Sequence, residues 1–401
     1  MSYDVEAFRD RFPALATGVA HFDGPGGTQT PREVGEAIAR TLTGPLSNRG
    51  AATASERNAT DAVLAMRSAV GALLGVPASG VVYGRSATQL AYDFSRHLAR
   101  DWGPGDEVVV TRLDHDSNVR PWVQAAASAG ATVHWIQLDP ATGELLLDEL
   151  RETLSERTRV VALTAASNLI GTIPPVRAIA DAAHAVGALV YVDAVHFAAH
   201  GLVDREALGA DLVVCSPYKL LGPHCAVLGA DPALLETIRP DKLAPSTDVV
   251  PERFEFGTLP YETMAGVTAA VEVLAGLAPG GASTRREALA ASYAAIHAHE
   301  SVLRARLEQG IAELGDRVVV HSRAAERTPT LLMTFPGRSA AEASAFLAER
   351  EVHAPAGNFY ALEASRALGL GDAGGVRAGL APYTTAAEVD RLLEGLADFL
   401  A

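Results

Sequence analysis

The chain has 401 residues, 48% of them hydrophobic, with a formal net charge of -15 and a sequence pI near 5.2. That length and apolar content suffice for two domains with sizeable cores, while an acidic balance without clustered Lys and Arg excludes a binder of nucleic-acid backbones. Cys215 and Cys225 alone provide neither a disulfide framework nor a zinc-type spacing, and no run is apolar enough for a membrane span or an export signal; a cytoplasmic protein without nucleic-acid, membrane or metal partners is expected.

In chain order, residues 1–20 read as a short helical segment leading into "HFDGPGGTQTP" (21–31), whose glycines permit close ligand approach. From about residue 78 to 240, short β-branched runs alternate with Ala-rich amphipathic stretches, the pattern of a doubly wound α/β sheet. Strands are expected over 80–84, 107–112, 132–138, 159–166, 188–194, 211–216 and 225–230, with helices in most intervals. The tract "LAPGGAS" (277–283) interrupts the helical pattern, and the chain beyond it is helix-rich, with strands in "RVVVHS" and "TLLMTF". The expected division is an N-terminal helical segment (1–20), a large ligand-binding domain (21–276) and a smaller α+β domain (277–401).

Four stretches can carry chemistry. In "VVYGRSATQL" a strand ends at Gly84 and Ser86-Ala87 open a helix, whose unpaired amides can hold a phosphate; an ordinary N-cap is the alternative. "RLDHDSNVRPW" places His115 after another strand, where an imidazole can stack on a ligand ring and move protons, or be a plain loop histidine. "ALVYVDAVHFAAH" delivers Asp193 to a strand end, where doubly wound sheets place ligands, with His196 in the following turn. A buried carboxylate there needs a cation or a donor, unless it merely caps a helix. "CSPYKLLGPH" puts Lys219 between a Ser-Pro-Tyr turn and a Gly-Pro stop; a lysine in such a place is commonly structural or snorkelling.

Taken together, a lysine, a carboxylate and a phosphate-ready helix start at different strand ends match the needs of pyridoxal phosphate (PLP). Its aldehyde takes an amine, its ring nitrogen keeps its proton beside an acid, and its phosphate takes amides and hydroxyls. Burial and nearby cations would favour the neutral form of Lys219. No GxGxxG opens the first βα unit, so a nicotinamide or flavin oxidoreductase has no support.

The segments "FDGPGGTQTP", "DHDSNVRPW", "SNLIGTIPPV", "VDAVHFAAH", "SPYKLLGP", "FEFGTLP" and "VRAGLAPYTTAAEVDRLL" follow one another in a familiar order. On them the chain resembles, nearly end to end, the class V aminotransferases of PLP fold type I, in their cysteine desulfurase-like branch. The resemblance implies an α/β large domain with a mainly parallel seven-stranded sheet between helices, plus the smaller C-terminal α+β domain. It implies Lys219 as the Schiff-base lysine, Asp193 as partner of the pyridine nitrogen, and His115 as the catalytic imidazole stacked on the ring. His196 falls where the family usually has a Gln on the phenolic oxygen, a donor-for-donor exchange in the right tautomer. Ser86, Ala87, Ser216 and Tyr218 fall at phosphate positions, and Thr258 at a position that reaches the neighbouring subunit's phosphate, which implies a homodimer with shared sites. Asn168 would contact cofactor and substrate, and Arg377 would clamp the carboxylate of a small amino-acid substrate.

One departure matters. The family's sulfur-accepting cysteine lies on a loop before the carboxylate-binding arginine, and here "EVHAPAGNFYALEASRALGLGDAGGVRAGL" contains none. Pro355 or a neighbour stands where the family has a second arginine, and Cys215 and Cys225 read as small buried residues. Gly357, Asn358, Phe359 and Tyr360 are expected to line the pocket. The expected function is a PLP enzyme acting on an α-amino acid through aldimine and quinonoid intermediates, as a C–S or Se–C lyase lacking the loop cysteine. An aminotransferase or epimerase of the same fold, or a non-catalytic PLP-binding protein, are the alternatives.

Overall fold

The computed structural model describes residues 3–278 and 280–401; Met1 and Ser2 of the N-terminal segment and Pro279 of the 277–283 interruption lie outside the described residues. After a two-residue strand β1 (Ala20–His21), the expected apolar runs form β2 (Val81–Gly84), β3 (Glu107–Thr111), β4 (Thr132–Ile136), β5 (Thr158–Thr164), β6 (Leu189–Asp193), β7 (Leu212–Cys215) and β8 (Ala226–Ala230). They make one seven-stranded sheet in the order β2-β8-β7-β6-β5-β3-β4. Every pairing is parallel except those of β8, which runs antiparallel to both β2 and β7. Two reversals restore direction, so β2 runs with the other five strands and Gly84, Thr111, Thr164, Asp193 and Cys215 all end at one edge.

Helices cover both faces of this sheet, which is why β2, β3, β7 and β8 are buried at every residue and read as continuous apolar runs. One face packs Leu73, Leu163, Val192 and Met264; the other packs Phe94, Trp122 and Tyr191. The edge strand β4 starts with an exposed Thr132 and is only partly covered. Local signals agree with this packing: the helix Ala54–Leu74 opens on a Thr53/Glu56 capping box and stops at Gly75, whose φ of 70° suits glycine.

A second sheet contains β9 (Val319–Val320), β10 (Thr330–Thr334), β12 (Ala356–Gly357) and β13 (Gly375–Gly379), antiparallel in the order β12-β13-β10-β9. Leu307, Leu331, Leu347 and Leu396 join it to the helices Arg285–Glu313, Ala340–Ala348 and Ala386–Leu400. The remaining strand, β11 (Val352–His353), pairs parallel with β1. Near the same place Arg9 donates two hydrogen bonds of 2.9 Å to Glu388, and the Tyr3 hydroxyl donates to the Pro382 carbonyl. The start of the chain is thus stitched to its end, and the loop after β1 crosses β13 at an Asp23–Gly379 bridge. Among the described residues no helix is long and apolar enough to cross a membrane.

Candidate active site

Lys219 closes the single turn Pro217–Lys219 that follows β7, and is only 6% exposed. Burial first, then the Arg377 cation, pull its amine down to about 8, with Asp193 opposing. On the neighbouring strand, Asp193 ends β6 and its Oδ1 accepts the Val195 amide at 2.8 Å. Burial pushes its carboxyl up, against the Val195 amide and Lys219. Burial disfavours the charge on each group, and each partly offsets that cost for the other.

His196, three residues beyond Asp193, is buried, and its Nε2 lies 3.0 Å from the Thr328 hydroxyl and 3.1 Å from the Thr330 hydroxyl. Burial, with His200, Lys219 and Arg377 nearby, holds its pKa well below the usual range. His115 follows β3, and its Nδ1 accepts the Ser117 amide at 3.1 Å, which puts the ring proton on Nε2. Burial, then Lys219 and Arg377, push His115 down to about 3, so it is a neutral imidazole. Beneath it Asp114, pushed up to about 8 chiefly by burial, accepts from the Thr111 hydroxyl and from Asn118 and holds the turn.

Ser86 caps the helix Ala87–Leu98 by accepting the Gln89 amide at 3.1 Å, while the Ala87 and Thr88 amides belong to the first turn and have no intrahelical acceptor. Ser86, Ala87, Thr88, Ser216 and Tyr218 line one inner cavity of about 80 Å³. Tyr218 stacks on His224 with ring centroids 4.9 Å apart. The N-terminal loop closes over this turn: the Thr28 amide donates to the Tyr218 carbonyl at 3.1 Å, and a Cβ on Gly27 would stand 3.2 Å from the Tyr218 ring. Only glycine allows that approach without displacement.

The inner cavity opens into a cleft of about 800 Å³. Thr88, His115, Asn168, Tyr218 and Lys219 line both. Arg377, on β13 of the second sheet, reaches across the cleft, is 2% exposed, and donates from Nη1 to the Asn168 carbonyl at 2.9 Å. Its guanidinium carbon lies 3.6 Å from the centre of the Phe359 ring, and it makes no ion pair among the described residues. Burial lowers its proton affinity, with Asp23 and Tyr218 opposing; this is the condition of a cation that lacks an anion. Phe359 and Tyr360, with φ of 52° and 60°, stand in the left-handed region that bulky residues avoid at a cost of about 1–3 kcal/mol each. Asn168 holds the Phe359 carbonyl at 3.0 Å and the Asp116 amide holds the Tyr360 carbonyl at 2.7 Å.

Nine of the eleven expected site residues therefore line these two cavities at the ends of β2, β3, β5, β6 and β7, and Arg377 enters from β13. Thr258 does not: it is exposed on the turn before the helix Tyr261–Ala275. Of the expected loop residues, Phe359 and Tyr360 line the cleft but Gly357 and Asn358 do not, because the Asn358 amide turns away to donate to the Asp372 carbonyl at 2.9 Å. Thr88, Ser117, Thr328 and Thr330 were not foreseen. Thr88 could have been read from the same helix start as Ser86, whereas Thr328 and Thr330 arrive from a distant part of the chain with no local signal.

Three buried polar atoms at this place have no partner among the described residues: His196 Nδ1, Asn168 Oδ1 and Arg377 Nε. With a carboxylate and a lysine amine at one end and free helix amides at the other, the donors fit an aromatic aldehyde that carries a phosphate, next to a substrate carboxylate.

The family description Aminotransferase class-V matches residues 20–392. The chain is 31% identical over 408 residues to the aminotransferase-like protein FGM3 of Gibberella zeae, covering 98% of each. It is 31% identical over 420 residues to a probable cysteine desulfurase 2 of Mycobacterium leprae, covering 98% of this chain and 96% of that one. Its structure is similar to that of the cysteine desulfurase CsdA of Escherichia coli, with a TM-score of 0.87, 26% identity, and coverage of 99% of this chain and 98% of that one.

Proposed function

The chain belongs to the class V aminotransferase family, in its cysteine desulfurase-like branch of pyridoxal phosphate enzymes, and on that premise we propose that it is a carbon–sulfur or carbon–selenium lyase acting on an α-amino acid. When bound, the cofactor supplies an electron sink for negative charge at the substrate α-carbon. Lys219 Nζ, whose proton affinity burial and Arg377 pull down to about 8, would hold the cofactor's aldehyde and, when free of it, could take the substrate's α-proton. Asp193 would hold the proton of the cofactor's ring nitrogen, and that cation would favour the charged form of a carboxyl that burial pushes up. Ser86, Ala87, Ser216 and Tyr218, joined by Thr88, would hold the phosphate, and His196 and Asn168 would hold the ring oxygen. His115, a neutral imidazole, would lie against the ring and could accept a proton, and Arg377 would fix the substrate carboxylate through two N–H groups.

The observation that supports a lyase is that no thiol reaches the cleft. Cys215 and Cys225 are 0% and 2% exposed in the strand core, where burial pushes both thiols up, Cys225 to about 12. Residues 351–380 contain no cysteine to accept sulfur. With no acceptor, sulfur departs with the electron pair of its bond to carbon after Lys219 has taken the α-proton. The unsaturated amine left behind takes up water to give a 2-keto acid and ammonia, so no oxidant or reductant is required.

A panel of α-amino acids with sulfur and selenium leaving groups tests this, scored for sulfide or selenide, 2-keto acid and ammonia. Sulfide and keto acid in equal amounts are expected. Amino transfer to an added keto acid without sulfide makes the protein an aminotransferase, an inverted α-carbon makes it an epimerase, and alanine with an enzyme-bound persulfide overturns the lyase reading. We infer further that it works as a cytoplasmic homodimer in which Thr258 reaches the partner's phosphate. A groove of about 520 Å³ between the helices Arg32–Thr43, Ala54–Leu74 and Tyr261–Ala275, with exposed Leu42 and Leu64 on the first two, supports a mate there. Light scattering should give twice the 41.8 kDa of one chain.

A further inference from the structure

His196 sits between the two sheets. Its backbone follows β6, while Nε2 lies within hydrogen-bond distance of hydroxyls from the segment that starts β10, at 3.0 Å from Thr328 and 3.1 Å from Thr330. Those threonines are 3% and 0% exposed, and a buried hydroxyl hydrogen left without an acceptor is costly. The Thr328 hydroxyl has a second acceptor, the Gly171 carbonyl at 3.4 Å. Among the described residues the Thr330 hydroxyl has no other, so its hydrogen goes to His196 Nε2. A ring nitrogen that accepts cannot carry the ring proton, and a neutral imidazole then carries it on Nδ1. Nδ1 is the atom without a partner, and His196 lines the inner cavity beside Asp193, Ser216 and Lys219.

The doubly protonated ring is disfavoured by its surroundings. Lys219, Arg377 and His200 face His196 with positive or potentially positive charge. The buried Glu300 carboxylate behind them is bound to His200 Nδ1 at 2.9 Å rather than to His196.

We infer that Thr330 is a positioning residue that fixes His196 in its Nδ1–H tautomer, so that the imidazole offers the phenolic oxygen of the cofactor a donor and never an acceptor. The inference rests on the reading of this site as a PLP pocket. A donor there stabilises the oxygen as an anion and lowers the proton affinity of the Lys219 nitrogen joined to the ring; an acceptor would do the reverse. The identity of one side chain on β10 thereby tunes a group held on β6 and β7.

The test follows the visible absorbance of PLP-loaded protein against pH. In Thr330→Val the ring can place its proton on Nε2, and the absorbance midpoint is expected to rise by about one to two pH units, the size of a lost hydrogen bond to a charged group. Thr330→Ala carries the same expectation should the valine variant not fold, Thr330→Ser should keep the parent midpoint, and Thr328→Val should shift it less. His196→Gln supplies an amide donor that needs no threonine, so adding Thr330→Val to it should produce no further shift. An unshifted midpoint in Thr330→Val and Thr330→Ala overturns the inference, and so does an equal shift in the His196→Gln background. A parent protein that develops no visible band, and in which borohydride fixes no PLP to Lys219, overturns the cofactor reading instead.

Discussion

Replacing Arg377 by methionine separates a residue kept for its ligand from one kept for the fold, because the two effects have different signs. The guanidinium is 2% exposed and lacks an ion-pair partner among the described residues, and an isolated buried ion costs several kcal/mol. Its hydrogen bond to the Asn168 carbonyl returns about 1.5–3 kcal/mol, and its contact with the Phe359 ring about 2 kcal/mol. Those terms nearly cancel, and methionine fills a similar volume, so the cofactor-free variant should lie within about 1.5 kcal/mol of the parent. Turnover should respond differently. A substrate carboxylate buried without its cation loses about 2–5 kcal/mol, or roughly 30- to 5,000-fold in kcat/KM. Urea titration of the cofactor-free proteins, and kcat/KM for the best amino acid of the panel, supply the two numbers. A variant destabilised by more than about 3 kcal/mol, the cost of breaking a buried structural ion pair, with kcat/KM unchanged, would refute the assignment.

Lys219, pulled down to about 8 from an ordinary 10.5, is neutral when folded and charged when unfolded between those values. Lys219 should therefore contribute about 3 kcal/mol of stability as pH rises from 8 to 10.5, measured as the difference between the parent and Lys219→Met in urea titrations of the cofactor-free proteins at stepped pH, because the buried Cys215 and Cys225 thiols act in the opposite sense above pH 9 in both. His115, pushed down to about 3, stays neutral over the working range; His115→Phe should keep the cofactor's visible band while kcat falls about 100-fold or more, the usual share of a proton-transferring side chain. An unchanged kcat would remove His115 from the chemistry. The double variant Cys215→Ala with Cys225→Ala should release sulfide within about twofold of the parent rate, since neither buried thiol touches the substrate and small core truncations act on stability instead. Alkylation and mass spectrometry of the parent during turnover should find no persulfide.

Much of the fold is legible along the chain because strands buried on both faces must be continuous apolar runs, and those runs need no knowledge of their neighbours to be recognised. The seven expected strands appear within a residue or two of their ends. Lys219, Asp193, His115 and Ser86 were legible for a related reason: each immediately follows such a run, and in a sheet of this kind the strand ends share one edge. The chain's lack of a third cysteine is likewise a property of the sequence, and it alone removes a thiol from residues 351–380.

Tertiary structure decided what lies far apart in the chain. Arg377 comes from the second sheet to meet Asn168, 209 residues earlier, and Thr330 crosses 134 residues to hold His196. No periodicity or turn signal records such meetings, because hydrogen bonds and unpaired charge depend on where separately folded elements dock. The protonation states follow from the same docking. Residue type makes Lys219 basic and His196 able to donate or accept; only burial among Arg377, Asp193 and the two threonines sets which form each takes.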